Sequence, residues 1–424
     1  MNNKYTSMNK NLIWLTVLFI IYRMILDLVY YIWASPIYTY MGLVMELNII
    51  KYFISYILFF LILILIPKNN NKISYSILQV HFAITIVPLT SIYGLANMST
   101  KFMIMIAISF LLQVQLLKFL PKLKLIKVKG AKHLFGLIII LLSAITYIYL
   151  FTTQKLNLSV FDFSKIYEVR SEQKISLGIM NYLVTWQYRM INPILIVFSY
   201  YKKYRKMLLF SIGMQVLLYL MIPHKEIIFA IFLIMLVLFT EYKKIQFNVF
   251  FLKFLVFFAV VSGLYYEITG KIMALGAGPV RLLYLPALIK FWHYNFFSVN
   301  NKLYYSEGII GSILGIEYPY SVSSGFLVMK GMGNANVGYI GYAYDNAGFI
   351  GMILISLLFV MLLQLIDSLT IDENKMVVLS LIIYPMIILN DGDLLTLLLT
   401  GGLFILVLLL FILKDINLSE NQFK

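Results

Sequence analysis

The chain has no cysteine in 424 residues, and only 12 % of those residues are charged. The first absence excludes disulfides, a thiol nucleophile and any thiolate metal site. The four histidines, at 81, 133, 224 and 293, are widely scattered and show no metal-ligand spacing. There is no P-loop, and no GxGxxG follows a strand, so no nucleotide site and no cofactor are expected. Polar sequence is scarce too, and neither end carries enough of it for a soluble domain. A water-facing surface cannot be built from a chain that is 62 % hydrophobic with mean hydropathy +0.89.

What is present is a series of continuously apolar runs. They do not alternate, which argues against a β-barrel and for an all-α polytopic membrane protein. Twelve spans are read, at 11–33, 50–67, 73–94, 102–120, 134–151, 180–200, 207–222, 226–240, 247–268, 346–366, 376–390 and 394–413. The first run lacks a small-residue cleavage site and is read as a retained helix. Basic residues outnumber acidic ones, giving a net charge of +16. They gather after even-numbered spans: Lys118, Lys122, Lys124, Lys127, Lys129 and Lys132, then Lys202, Lys203, Arg205 and Lys206, then Lys243 and Lys244. That placement satisfies the positive-inside rule and argues against nucleic acid as partner. Both termini are then cytoplasmic, and loops 152–179 and 269–345 lie outside, with anionic membrane lipid favoured at the basic face.

The second of these loops is the most informative stretch, a polar interruption of about 70 residues from Thr269 to Tyr339. It ends in GMGNANVGYIGYAYDNAGFIG, which runs into the next span. Asn334, Asn336 and Asn346 supply amides, and Tyr339, Tyr342 and Tyr344 supply flat amphipathic faces, a combination suited to sugar rings. Gly348 and Gly351 suit either a permissive backbone or helix packing. Asp345 is the carboxylate of the cluster, with Glu168, Glu172, Glu317, Asp391 and Asp393 as further acid or base candidates.

Arg170, beside Tyr167 and Glu168, and Arg281, flanked by Lys271 and Lys290, lie in the two outer loops. An Arg fork binds phosphate oxygens bidentately, though either residue can equally be a solvated anchor. His224-Lys225 opens another span, where a Lys can meet a phosphate at a helix start or simply snorkel. Inside the spans, Arg23 and Asp27 are one turn apart and are read as a structural pair. His81 and Arg189 are expected to face the bundle, and Lys253 to reach a cytoplasmic end.

In three islands the chain resembles the Wzy-type polymerases of oligosaccharide repeat units. These are Tyr167-Glu168-Val169-Arg170; His224-Lys225, where relatives have Gly/Ser-Lys; and Asn336 with Tyr344 and Gly348-Phe349-Ile350-Gly351. Asn346-Ala347 departs from the Asp-Phe-like pair expected before the last motif. The likeness in topology covers nearly the whole chain, whereas the motifs are short. The resemblance implies a multi-pass protein of the bacterial cytoplasmic membrane that polymerises undecaprenyl-pyrophosphate-linked oligosaccharide on the outer face. The product would be O-antigen, capsule or exopolysaccharide, and the partners would include a chain-length regulator and a flippase. It implies Arg170, Arg281 and Asp345 as catalytic residues, and Lys225, His224, Tyr167, Glu168, Asn336 and Tyr344 as substrate-binding residues, with no metal demanded. A lipid-linked oligosaccharide flippase and a related ligase are the alternatives.

Overall fold

The computed structural model describes residues 2–69, 71–123, 131–161, 178–329 and 333–413. Among them all regular structure is helical. In chain order the main helices are α1 (Leu12–Ile37), α2 (Ile49–Leu65), α3 (Ile73–Leu95), α4 (Thr100–Phe119), α5 (His133–Thr153), α6 (179–201) and α7 (Arg205–Met221). They continue with α8 (Lys225–Tyr242), α9 (Phe247–Thr269), α10 (Met273–Phe297), α11 (Gly338–Leu369), α12 (Lys375–Ile388) and α13 (Leu403–Leu413). Seven of these (α1, α3, α4, α5, α9, α10 and α11) are long and apolar enough to cross a membrane. The protein is a membrane-embedded helical protein.

The stretches expected as spans are largely helical, with breaks at 347–348 and 399–402, but seven helices among the described residues, not twelve, have the length and apolarity to cross. The expected loop 269–345 needs correcting. Its first part is α10, a helix of 25 residues, and residues 338–345 already belong to α11. Only 298–337 lies between helices of that length, and it carries the short helices Ile309–Leu314 and Ser324–Val328. Hydropathy hides α10 because it contains Gly-Ala-Gly-Pro-Val-Arg at 276–281, then Lys290 and His293. Both of those side chains are buried, Lys290 bonded to Asn390 O and His293 to Asp345.

Proline shapes the helices in a repeated way. A widened π turn precedes each of Pro36, Pro88, Pro193 and Pro286, at Tyr30–Ala34, Phe82–Ile86, Gln187–Ile191 and Gly276–Tyr284. Proline lacks the N–H for the carbonyl four residues back, and its ring collides with that carbonyl. A wider turn moves the carbonyl aside. At Pro286 the freed carbonyl finds another donor: Leu282 O, four residues back, accepts from Asn390 Nδ2 at 3.2 Å. Such replacement is required where no water can serve.

The chain forms two compact units. One comprises residues 1–121, 245–364 and 387–394. Its centre is α3, which is buried along its length and touched by α2, α4, α9 and α10. Arg23 and Asp27 of α1 are ion-paired there, as expected. Arg23 donates to Ser55 Oγ at 3.0 Å and Thr90 O at 3.2 Å. Asp27 accepts from Tyr52, Tyr56 and Ser91. His81 stacks on Phe359, 5.1 Å between ring centres. The other unit comprises 122–244, 365–386 and 395–424, and its core includes Tyr147, Leu150, Val184, Leu218 and Ile227.

Candidate functional site at the break in helix α11

Helix α11 is not continuous. Ala347 (φ −143°, ψ 21°) and Gly348 (φ 61°, ψ −146°) interrupt it, leaving a short half, 338–346, and a long half from Phe349 onward. The Gly348 backbone is open to glycine and almost closed to other residues. Gly351 has a related reason to be glycine: the break brings the Ala343 carbonyl onto its Cα, so a Cβ there would collide. These two glycines serve the break itself, not packing against a neighbouring helix.

The carbonyls exposed at the end of the short half are capped from far away in sequence. Leu303 N donates to Asp345 O at 2.9 Å, and Tyr304 N to Asn346 O at 3.2 Å. Tyr305 N donates to Asn346 Oδ1 at 2.5 Å. Tyr304 and Tyr305 hold φ of 50° and 63°, uncommon for bulky residues. Residue strain of this kind concentrates at functional sites.

The side chain of Asp345 is fully buried. Its Oδ2 lies 2.6 Å from Nδ1 of His293, which is equally buried on α10. Asp345 Oδ1 and His293 Nε2 have no hydrogen-bond partner among the described residues. A carboxylate that accepts from Nδ1–H leaves Nε2 of a neutral imidazole as an acceptor, the arrangement a general base needs. Just beyond, Lys302 Nζ sits 3.6 Å from the centre of the Tyr344 ring and also has no hydrogen-bond partner among the described residues. Burial pushes the Lys302 ammonium down to about 8, against the pull of Asp345. Tyr344 completes an aromatic wall with Tyr294 (5.1 Å), Phe349 (5.3 Å) and Phe102 (5.5 Å). Glu307 is tied to Ser324, accepting from its N at 3.0 Å and its Oγ at 2.6 Å.

At the start of the short half, Gly338 N donates to Asp391 O at 2.8 Å. Lys290 is no solvated loop cation: it is buried and donates to Asn390 O at 2.7 Å and Pro286 O at 3.1 Å. Arg281 is exposed on the widened turn of α10.

The expected site residues therefore separate. Asp345, Tyr344, Asn336 and Arg281 belong to one unit, with Asn336 exposed ahead of α11. Arg170, Tyr167 and Glu168 lie outside the described residues. His224 and Lys225 belong to the other unit. There His224 stacks on Tyr188, and Glu226 is the node: it takes Arg189 at 2.8 Å, Tyr188 at 2.6 Å and Tyr384 at 3.0 Å. Arg189 is thus a structural partner, as its position inside a span suggested.

Sequence reasoning missed His293 and Lys302. His293 is 52 residues from Asp345, and no local pattern joins them. The available signal was the presence of a His and a Lys in a Tyr/Phe/Asn-rich stretch ahead of a lone carboxylate. No protein-family model, curated protein or solved structure matches this chain.

Proposed function

We propose that this protein is a membrane glycosyltransferase that joins lipid-linked oligosaccharide repeat units on the outer face of the bacterial cytoplasmic membrane. The observation that carries this reading is the buried His293–Asp345 pair, its Nε2 without a hydrogen-bond partner among the described residues, beside an aromatic wall and an ammonium that likewise has none. Burying polar groups without partners is costly, and a binding or catalytic role accounts for the cost.

In the reaction, a sugar hydroxyl of the acceptor attacks the anomeric carbon of a glycan held on undecaprenyl pyrophosphate. The new glycosidic C–O bond forms as the anomeric C–O bond to phosphate breaks. The lipid pyrophosphate leaves with the electron pair. His293 Nε2 takes the hydroxyl proton, and Asp345 orients the ring and stabilises the cation that results. Arg281 and Arg170 are the proposed partners of the leaving diphosphate, and the Tyr344 face packs on a sugar ring.

The test is a gel ladder of surface glycan from cells lacking the protein and from cells carrying His293→Gln. Collapse to a single repeat unit in both, with the variant at normal membrane level, is the expected result. Lipid-linked units trapped in the cytoplasmic leaflet would instead mean a flippase. Long glycan left on undecaprenyl pyrophosphate would mean a ligase.

A further inference from the structure

The break in α11 presents more than a base. The long half of the helix begins at Phe349, and the carbonyls of Asp345 and Asn346, one turn back, are taken by Leu303 and Tyr304. The first amides of a helix lack acceptors one turn back, and the dipole concentrates positive potential at that end. Such an end alone is common. Here two ammonium groups accompany it. Lys302 Cε would lie 3.7 Å from a Cβ placed on Gly348, so its stem runs beside the break. Its Nζ, shielded from solvent, lies on the Tyr344 ring and has no hydrogen-bond partner among the described residues. Lys101, at the start of α4, holds its Nζ 5.6 Å from the centre of the Phe349 ring. The Tyr344 and Phe349 rings are 5.3 Å apart, so the two cations flank one aromatic pair at the helix start.

Glu307 accepts from Ser324, and Asp345, which meets His293 through Oδ2 alone, pulls on Lys302 without a hydrogen bond to it. An ammonium nitrogen shielded from water and without a hydrogen bond is costly unless an anion completes it.

We propose that the break in α11 is a binding site for a phosphate-class anion, held by Lys302, Lys101 and the amides that open the long half of the helix. The natural identity of that anion, a lipid-linked diphosphate, rests on the reading above; the site itself does not. It would place the leaving group beside the proposed base, a role the sequence had given to Arg170 and Arg281, with Lys225 after them.

The experiment is calorimetric titration of the full chain, in phosphatidylcholine nanodiscs, with inorganic pyrophosphate. Saturable binding is expected. Lys302→Gln should weaken it by about ten-fold or more, the worth of one charge-assisted contact. Lys302→Arg should restore most of it, and Lys101→Gln should weaken it by about two- to five-fold. Unchanged thermal midpoints exclude misfolding. Phosphatidylglycerol nanodiscs distinguish the source: competition with pyrophosphate assigns the site to a lipid phosphate, and its absence to a diphosphate that need not be a membrane lipid. No binding by the wild type, or equal binding by wild type and Lys302→Gln, would overturn the site. Lost binding in Lys302→Gln with a normal glycan ladder would keep the anion site and separate it from glycan elongation, and a normal ladder on deletion would remove the polymerase reading. A ladder collapse on deletion without any pyrophosphate binding would do the reverse.

Discussion

His293 Nδ1 and Asp345 Oδ2 meet at 2.6 Å between two helices, with both side chains sealed from solvent. If they act as one base, their loss is not additive. His293→Gln and Asp345→Asn should each slow chain elongation by about 100-fold or more. The double variant should be no slower than His293→Gln alone. Elongation rates in isolated membranes test this, and multiplicative losses would assign the two residues separate roles.

The absence of cysteine makes sidedness easy to measure. A Ser321→Cys chain, altered in the stretch between α10 and α11, should react with a membrane-impermeant maleimide added to intact spheroplasts. Lys243→Cys, between α8 and α9, should react only after the membrane is opened. The basic loops that set the expected orientation all precede α10, and a full crossing by α10 would return the stretch after it to the cytoplasmic side. Labelling of Ser321→Cys only in opened membranes would put the α11 break on the cytoplasmic side and end the outer-face reading.

The Lys302 ammonium is held below its ordinary value, at about 8, by burial. Between about pH 8 and about 10.4 the unfolded chain keeps a proton that the folded chain has released. Stability should therefore rise with pH across that window, while pyrophosphate affinity falls as pH passes about 8. Lys302→Met should remove this component from a thermal-midpoint profile. An unaltered profile would show that Lys302 does not titrate there.

Gly348→Ala forces a side chain into the left-handed backbone at the break. The expected cost is about 1–3 kcal/mol. Gly213→Ala, on an open face of α7 with nothing nearby, serves as control and should be neutral or slightly stabilising. Thermal midpoints of the two variants separate strain from the mere loss of glycine.

The Arg23–Asp27 pair distinguishes a structural from a transport role for charge inside the bundle. Arg23→Ala alone should cost about 3–5 kcal/mol, because it strands a buried carboxylate. Arg23→Met with Asp27→Leu should recover most of that stability and keep the glycan ladder. Loss of function in a stable double variant would revive the membrane-path reading.

Much of the frame was legible because lipid imposes it. Long apolar runs have to be helices, and a charge one turn from its opposite, as in Arg23 and Asp27, is a pair readable from local spacing. The Gly/Asn/Tyr cluster pointed to Asp345 and Tyr344. The limit came where partners are distant. Lys290 and His293 made α10 look like loop, because the groups that receive them, Asn390 and Asp345, arrive 100 and 52 residues later. The same non-locality hid Lys302. It also hid the role of Gly351, which depends on a break that no spacing rule anticipates.

Asp345 is fastened twice, its carboxylate to His293 and its main-chain carbonyl to the amide of Leu303. The stretch after α10 therefore holds Asp345 through its main chain, while α10 holds it through its side chain. A displacement of that stretch would pull on the carboxylate that meets His293, so loop and buried pair are mechanically one body.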